Sequence, residues 1–592
     1  MRFATVALCC FFAAVGLFNA FEGRSRADEQ PANAEDAKLE AFFKDYLERV
    51  FATEPLTATR LGDHRFDDKL DDLSPEARAF NLKRDRDTLA DLPRKIDKSK
   101  LSRDGKIDFE IVEQSLTRSI WLAETFHPFE NDPRIYGDYV GDGVYLLLTQ
   151  STLLKQKNVS NALRRIEQIP KLLETARKTL GKSPRVKVET AIRQTKGAIS
   201  FFETEFFELA GLAKDDADAL SKTKPTVESL KRHLAFLEKD ILPKADDDWR
   251  IGKERFARKL ELELDANISA DEVLAEAEAE AVRVESEMYD VACKLWKTRL
   301  PNEPLPPGHR ETVRKVLDAV AKDHGAPDKL VADARATVKD IKEFIRTRDL
   351  LRLPEPDRCR IVEMPEFKRG NAVAYLEPAP PLDPTGSSEF AISPPPSDWS
   401  PTRVESFLRE YNQSMLKILT IHEAYPGHYV QLEYSNRCPS LIRKVLSSGT
   451  FAEGWAVYTE RMMLDNGFGG DDLGLKLNQL KFYLRAVANA ILDRRMHVEG
   501  MTDEEAKDLL MNRCFQTEGE AVGKIIRSKQ SSCQLSTYFV GRLAFVRLRK
   551  SIEKEMGASF DLGRYHEATL SHGTLPVKYL PDLVRDRLKR PR

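Results

Sequence analysis

Apolar residues recur at intervals of three and four along most of the chain after about residue 34. The segments DAKLEAFFKDYLERVFAT and NALRRIEQIPKLLETARKTL both show this spacing, which is typical of amphipathic helices. Ser269 with Glu272, and Thr502 with Glu505, form capping-box patterns that predict where two further helices begin. The hydrophobic pattern therefore predicts a mainly α fold.

One region departs from the helical pattern. Residues 353–401 are rich in proline and contain the short apolar pieces RIVEMPEF, NAVAYLEP and EFAISPPP. Short apolar runs between turn residues are typical of strands. We predict a small β element here, directly before the segment that carries the candidate chemistry. Its edge is expected either to hold an extended peptide by strand addition or to be an ordinary proline-rich connector.

The chain has 592 residues, enough for several ordinary domains or for one large enzyme. Glycine and proline do not mark a clean boundary between domains. We therefore expect one continuous helical body. Residues 28–350 form its N-terminal part, and residues 351–592 carry the site together with the short β segment.

The N-terminus has the pattern of a secretory signal. A basic residue precedes the apolar run FATVALCCFFAAVGLFNAF, and small and polar residues follow. We predict that residues 1–27 are a signal peptide, with cleavage after Ala20 or Ala27, and that the mature protein is secreted or periplasmic without membrane insertion. The alternative is an uncleaved anchor, because the run is about long enough to span a bilayer. Cys9 and Cys10 come too early for a lipoprotein signal.

Composition narrows the class of protein further. The net charge of −2 and the pI of about 6.6 argue against nucleic acid or an anionic membrane as a partner. Of the seven cysteines, two lie in the predicted signal. The others are sparse and lack a short-spaced pair, which excludes a disulfide scaffold and a zinc ribbon. These features favour an ordinary globular protein.

Residues 421–431, IHEAYPGHYVQ, contain a candidate metal motif. Zinc peptidases often carry two histidines four residues apart, as H-E-x-x-H, on one face of a helix. Here the second histidine, His428, follows His422 by six residues, and an unbroken helix would separate the two rings by roughly 120°. Pro426 cannot make the regular helical hydrogen bond, and Gly427 turns freely. A break at this pair can bring the histidines of this HExxxxH variant together.

A third ligand is expected from the helical segment FAEGWAVYTER, which begins soon after His428. An antiparallel helix there would present Glu453 to His422 and His428, and two histidines with one carboxylate form a catalytic zinc set. Glu460, two turns further on, is either an alternative ligand or a hydrogen-bond partner of a ligating histidine. Glu423 is placed to act as a general base. The alternative interpretation is that each residue is an ordinary side chain of a helix surface.

The motifs HEAYPGHYVQ and EGWAVYTERMM resemble the bacterial family known as domain of unknown function 885. Members of that family resemble the zinc metallopeptidases of the Glu-zincin group. The family's tyrosines before the metal helix are missing from PPLDPTGSSEFAISPP, and its Arg-Tyr pair reads Arg-Ser here. The other matching segments are LGDHRFDDKLDDLSPE (61–76), RAVANAILDRRMH (485–497), RSKQSSCQLSTYFVG (527–541) and YHEATLSHGTLPVKYL (565–580).

The resemblance implies a zincin-like helical body and metal-assisted hydrolysis of the amide bonds of small peptides. His422, His428 and Glu453 are then expected to hold one Zn²⁺ per chain. Glu423 is expected to take a proton from the bound water and deliver it to the leaving amine. Peptides or small amides are the expected substrates.

Three further residues are candidates for catalysis. Tyr538 is a candidate hydrogen-bond donor to the oxyanion, or a packed core tyrosine. His497 and Asp493 are four residues apart on one predicted helix face. His497 is expected to contact the substrate or the oxyanion while Asp493 fixes its tautomer; the alternative is a surface pair.

Two arginines and a histidine are candidates for substrate binding. Arg485 and Arg527 can receive a substrate carboxylate as bidentate forks, which would make the enzyme a carboxypeptidase or dipeptidase. Either arginine is equally interpretable as part of a structural ion pair. His566 is a weaker candidate for lining the cleft.

Two other functions fit the same residues. One is a metal hydrolase of non-peptide amides or esters, because the oxyanion chemistry is shared. The other is a non-catalytic envelope protein whose His-Glu cluster stores metal or supports the fold. Glu423 favours an enzyme, since a purely structural site needs no base beside a ligand.

Overall fold

The computed structural model describes residues 33–364, 374–396 and 399–590. The predicted signal peptide, residues 1–27, lies outside the described residues. The rest is mainly α-helical with one small sheet, which confirms the prediction of a mainly α fold. The helices before the sheet are α1 (Ala34–Thr53), α2 (Pro55–Leu61), α3 (Pro75–Lys95), α4 (Arg103–Phe126), α5 (Pro128–Asn131), α6 (Arg134–Thr149), α7 (Lys155–Thr179), α8 (Arg185–Glu203), α9 (Glu205–Ala210), α10 (Ala217–Phe236), α11 (Lys253–Leu264), α12 (Ala270–Arg299), α13 (His309–Val320) and α14 (Leu330–Thr347).

The predicted β segment forms three short strands, β1 (Cys359–Glu363), β2 (Ala374–Glu377) and β3 (Ser388–Ile392). The strand order is β1-β3-β2, with β3 parallel to β1 and antiparallel to β2. Leu376 pairs with Phe390 in this register. Because β2 is an edge strand, its outer side is available to the helices that follow.

The helices after the sheet carry the candidate site. Their bounds are α15 (Pro401–Glu410), α16 (Gln413–Glu423), α17 (His428–Asn436), α18 (Leu441–Val445), α19 (Gly449–Asp465), α20 (Leu473–Val498), α21 (Asp503–Asp508), α22 (Glu518–Gln530), α23 (Thr537–Met556), α24 (Leu562–Leu570) and α25 (Leu580–Leu588). Both predicted capping boxes are confirmed. Ser269 and Glu272 exchange hydrogen bonds at the start of α12, and Thr502 and Glu505 do so at α21.

Three apolar cores hold the helices together. One lies mainly among α6–α10, and a second among α11–α13 and α20–α23. The third and largest includes Phe43 from α1 together with Tyr429 and Trp455 from α17 and α19. Residues on both sides of position 350 therefore share one core. No helix among the described residues combines the length and the hydropathy that crossing a bilayer requires.

Candidate metal centre

The two histidines lie on either side of a tight break between helices. α16 ends at Glu423 and α17 begins at His428, and the amide of Gly427 donates to the carbonyl of Ile421 at 3.0 Å. A Cβ on Gly427 would lie 1.9 Å from the carbonyl oxygen of His422, so only glycine fits this approach. The ring centroids of His422 and His428 are 4.9 Å apart. The predicted break is confirmed, and it brings the two imidazoles together.

α19 adds a carboxylate to this pair. The indole of Trp455 donates from Nε1 to the carbonyl of Pro426 at 2.8 Å, so α19 also holds the turn between the histidines. Oε2 of Glu453 lies 3.4 Å from Nε2 of His428 and 3.8 Å from Nε2 of His422. Ligand atoms of all three residues lie within 4.8 Å of one another.

The donor set fits a zinc ion. Bonds of 2.0–2.1 Å in a tetrahedral site place ligand atoms about 3.3 Å apart. The separations of 3.4 and 3.8 Å from Glu453 to the two histidines are within about half an ångström of this value. Two imidazole nitrogens and one carboxylate oxygen are the ligand types of catalytic zinc sites, which keep a fourth position open.

Glu460 orients one of the two histidines. Its Oε1 lies 2.8 Å from Nδ1 of His422, and its side chain is fully buried. In the neutral form of His422 this contact places the ring proton on Nδ1 and leaves the lone pair of Nε2 for the cluster. Burial lowers the pKa of His422, but the bond to Glu460 and the neighbouring carboxylates outweigh burial and raise it to about 9. Of the two roles predicted for Glu460, the geometry favours that of partner to a ligating histidine.

Glu423 connects α16 to the sheet. Its Oε2 accepts a hydrogen bond from the backbone amide of Leu376 in β2 at 3.1 Å. In an antiparallel strand the N–H and C=O of one residue point to the same side. The outer edge of β2 is therefore directed toward the end of α16, beside the histidine cluster.

Tyr538 and Arg527 also reach the cluster. Nη2 of Arg527 lies 3.2 Å from the hydroxyl of Tyr538 and 2.8 Å from Oε1 of Gln534. Burial raises the pKa of the Glu453 carboxyl, but the contact with His428, the charge of His422 and the nearby Tyr538 phenol outweigh burial and lower it. Burial and the charge of Glu453 raise the pKa of Tyr538 to about 12, so the phenol is protonated at neutral pH.

The match to known sequences supports the resemblance seen in the motifs. The family described as "Bacterial protein of unknown function (DUF885)" matches residues 55–584, most of the chain. The chain belongs to the DUF885 family. No curated protein matches it.

Two solved structures resemble this DUF885 protein over nearly its whole length. One is a candidate lipoprotein of unknown function from Shewanella oneidensis, with a TM-score of 0.78, 29% identity, and coverage of 92% of this chain and 99% of that chain. The other is a candidate lipoprotein from Colwellia psychrerythraea, with a TM-score of 0.76, 17% identity, and coverage of 94% and 100%. The second likeness is one of fold alone.

Gly454 and Gly541 determine how closely α19 packs against α23. Both lie in the DUF885 motifs, but neither was predicted from the sequence to have this role. A Cβ on Gly454 would lie 2.3 Å from Cα of Gly541, and one on Gly541 would lie 1.9 Å from the carbonyl oxygen of Thr450. The backbones of the two helices therefore touch at this crossing. Glu453 directly precedes one glycine and Tyr538 lies one turn before the other, so the crossing brings these side chains together. The sequence feature that could have identified these two glycines is their position within the motifs EGW and YFVG.

His497 does not reach the cluster. Its Nε2 lies 2.9 Å from the carbonyl oxygens of both Ser528 and Ser531, and its ring packs edge-on against Trp249. The side chain is buried. The expected contact of His497 with substrate or oxyanion is therefore not formed. The side chain instead packs between helices and links α20 to the end of α22.

Asp493 is also structural rather than a partner that fixes a catalytic tautomer. Its carboxylate accepts hydrogen bonds from the amide of Cys533 and the hydroxyl of Ser536, each at 2.8 Å. These contacts hold the connection between α22 and α23. The prediction that Asp493 fixes the tautomer of His497 is thus corrected: the carboxylate accepts hydrogen bonds from the turn that precedes Tyr538.

Arg485 forms the structural ion pair that was the alternative to substrate binding. Its Nη2 lies 2.8 Å from Oε2 of Glu520, whose other oxygen accepts a hydrogen bond from Tyr411 at 2.6 Å. This carboxylate neutralises the guanidinium inside the protein. Arg485 is therefore not a free receptor for a substrate carboxylate.

His566 does not line a cleft. It is fully buried, with Nδ1 2.8 Å from the carbonyl of Leu350 and Nε2 2.8 Å from the hydroxyl of Tyr458. Its ring packs edge-on against Trp455. His566 supports α19 from behind, where substrate cannot reach it.

Buried histidines are expected to make the protein sensitive to acid. Burial lowers the pKa of His566 to about 3, and those of His233 and His572 to about 4. The unfolded chain, with histidine pKa values near 6.5, then binds more protons below that pH. The contribution of these three histidines to stability is complete above pH 6.5 and is lost as the pH falls toward their pKa values in the folded protein. At pH 5 each histidine is expected to lower the free energy of unfolding by about 2 kcal/mol.

Urea denaturation between pH 7.5 and 5 measures this effect. His566→Gln, which keeps a hydrogen-bonding side chain but does not titrate, is expected to reduce the slope of stability against pH. The exposed His127, changed to Asn, is the matched control and is expected to leave the slope unchanged. An unaltered slope in His566→Gln would contradict the assignment of a buried neutral imidazole.

Proposed function

We propose that this DUF885 protein is a zinc-dependent hydrolase of the cell envelope, with a zincin-like body, that cleaves amide bonds of small peptides. The observation that carries the proposal is the convergence of His422, His428 and Glu453, with the carboxylate of Glu423 at the end of the same helix. A carboxylate beside a candidate ligand favours an enzyme over a storage or structural site, which needs no general base. The description of the structural neighbour from Shewanella oneidensis as a candidate lipoprotein favours the envelope location.

Three residues would hold the ion, and one would keep a ligand in place. His422, His428 and Glu453 supply the donor atoms, and Glu460 fixes the ring of His422 through Nδ1. When bound, zinc supplies a Lewis acid that lowers the pKa of a coordinated water toward about 7. The negative charge of the surrounding carboxylates suits a divalent cation.

Glu423 is the residue placed to move protons. The amide of Leu376 holds its Oε2 at 3.1 Å, which restricts the rotation of the carboxylate and leaves Oε1 for the attacking water. A carboxylate held in this way accepts a proton from water and passes it to the leaving amine. Tyr538, protonated at neutral pH, supplies a hydrogen-bond donor for the oxygen on which negative charge develops.

The sheet favours peptides over other amides and esters. The outer edge of β2 lies beside the end of α16, and an extended peptide can add to it through the outward backbone groups that Glu423 does not occupy. Tyr375 of β2 is also hydrogen-bonded to Tyr145 of α6, so the N-terminal half approaches the same strand. A substrate held between the two parts would be a short peptide rather than a folded protein.

Metal analysis and a peptide-library digest test this function together. The purified protein is expected to contain about one zinc per chain and to cleave a mixed peptide library, with products identified by mass spectrometry. A chelator should abolish cleavage, and added Zn²⁺ should restore it. His428→Ala is expected to lose both zinc and activity, whereas the exposed His127→Asn keeps both.

The outcomes separate the rival functions. Zinc that is retained and raises the melting temperature, without cleavage of peptides, esters or non-peptide amides, would indicate a structural metal site. Cleavage of esters or non-peptide amides in the absence of peptide cleavage would reassign the substrate class but keep the centre. Peptide cleavage that survives chelation and His428→Ala would refute the proposed centre.

A further inference from the structure

We propose that Lys524 and Arg527 bind the free α-carboxylate at the C-terminus of a peptide, so that the enzyme acts as an exopeptidase at that end. The inference rests on the proposed function, since it names the substrate class of the same site. Arg527 was a candidate from the sequence, whereas Lys524 carried no signal there.

One face of α22 carries the relevant charges. Glu520, Lys524 and Arg527 follow one another at intervals of four and three residues, which places them on one side of the helix. Glu520 is paired with Arg485 of α20, and Arg527 contacts Tyr538 of α23. This side of α22 therefore faces the helices that carry the site.

The acidic groups near the two cations act only from a distance: the charges of Glu520 and Glu453 favour the ammonium form of Lys524, but neither carboxylate pairs with it. Glu520 is the nearest acidic neighbour on α22, but its oxygens are taken up by Arg485 and Tyr411. In the described part of the chain, neither Lys524 nor Arg527 has a carboxylate within ion-pair distance. Arg527 contacts only the neutral oxygens of Gln534 and Tyr538.

Two neighbouring cations without a counter-ion are unfavourable, particularly where water is partly excluded. Lys524 is half-buried, and burial together with the charges of Arg485 and Arg527 lowers its pKa to about 7. An anion from outside the protein would relieve this repulsion and restore the ammonium form. The guanidinium of Arg527 offers a planar fork that matches a carboxylate.

The position of Lys524 and Arg527 relative to the candidate metal centre indicates which kind of anion they bind. Arg527 contacts Tyr538, and the Tyr538 hydroxyl lies near Glu453, so the cations lie one side chain beyond a candidate ligand. A peptide whose scissile carbonyl is at the centre would place its terminal carboxylate one or two residues further along. The substrate is then a peptide with a free C-terminus, and the product is an amino acid or a dipeptide.

Matched peptide libraries test this selectivity. Two libraries of equal sequence composition, one with free C-terminal carboxylates and one with carboxamides, are digested by the zinc-loaded protein. The free acids should be cleaved with at least about 100-fold higher kcat/KM.

The Lys524→Met variant should lower kcat/KM for the free acids about 10- to 100-fold, mainly by raising KM. Its kcat/KM for the carboxamides should not change. The Lys524→Arg variant should restore part of the loss. Equal cleavage of acids and amides by the wild type would overturn the inference.

Lys529→Met is the matched control, because Lys529 is on the same helix but is already paired with Asp503 at 2.6 Å. It should leave both libraries unaffected. If Lys529→Met lowered kcat/KM for the free acids as much as Lys524→Met, the loss would reflect the overall charge of α22. That result would count against a specific contact between Lys524 and the carboxylate.

A binding measurement separates this inference from the proposed function. Calorimetry with N-acetylphenylalanine and N-acetylphenylalaninamide on chelator-treated full-length protein excludes direct binding of the carboxylate to metal. Binding of the acid alone, with about a 10-fold or greater loss in Lys524→Met, supports the carboxylate site even if no peptide is cleaved, in which case only the hydrolase proposal fails. Binding of acid and amide with the same affinity, or displacement of the acid by inorganic phosphate at equal concentration, would refute the carboxylate site.

Discussion

Replacement of Glu423 by glutamine is expected to lower kcat about 10²- to 10⁴-fold while the protein still binds one zinc per chain. Glutamine can still accept the hydrogen bond that Leu376 donates to Glu423 at 3.1 Å, so the end of α16 keeps its position. An amide, however, cannot take a proton from water at neutral pH. Because Glu423 is outside the ligand set, the loss should appear in turnover and not in metal content.

Single-turnover kinetics, metal analysis and thermal melting of the same preparation measure these three quantities. Glu405→Gln is a suitable control, since Glu405 is an exposed residue of α15 whose partner is His324 at 3.2 Å. It should behave as the wild type in all three. Peptide cleavage at the wild-type rate by Glu423→Gln would show that another group moves the proton. Loss of zinc from that variant would instead make Glu423 part of the metal-binding set.

Replacement of Gly541 by alanine is expected to destabilise the protein by about 3 kcal/mol or more and to weaken zinc binding. The added Cβ would lie 1.9 Å from the carbonyl oxygen of Thr450 and against Gly454. Both neighbours are backbone atoms of a buried helix, so no side chain can move aside. Relief requires α19 and α23 to separate, which draws Glu453 away from the histidines.

Urea denaturation and zinc titration test this expectation. Gly523→Ala in α22 is the matched control, because a Cβ there meets nothing within 4 Å. Alanine is the better helix former, so the control should be neutral or more stable by up to about 1 kcal/mol. If Gly541→Ala has the stability and zinc affinity of the wild type, the helix crossing does not position the ligand, and the explanation of both glycines fails.

The candidate centre depends on one helix in two ways. α19 supplies the carboxylate of Glu453, and through Trp455 it also holds the carbonyl of Pro426 in the turn between the histidines. A shift of this helix therefore moves the third ligand and the geometry of the first two together. His566, which packs behind α19, is buried and hydrogen-bonded on both ring nitrogens. These contacts help to hold the helix in position.

Features that depend on local interactions could be predicted from the order of residues alone. Helical periodicity, the two capping boxes and the three short strands follow from neighbouring residues and were all predictable. The break after His422 was also predictable. Pro426 cannot make the regular helical hydrogen bond and Gly427 turns freely, and both effects act within a few residues. The order His-Glu, His, Glu-Gly-Trp then indicated which side chains meet.

Which other polar residues reach the site depends on how distant parts of the chain pack together. His497, Asp493, Arg485 and His566 have the chemistry of functional residues, but their partners are backbone carbonyls, turns and an acid on other helices. The partner of His566, the carbonyl of Leu350, is 216 residues away in sequence. Such contacts depend on how helices pack, and local sequence carries no information on them. The same packing left Lys524 beside Arg527, with neither cation in an ion pair among the described residues.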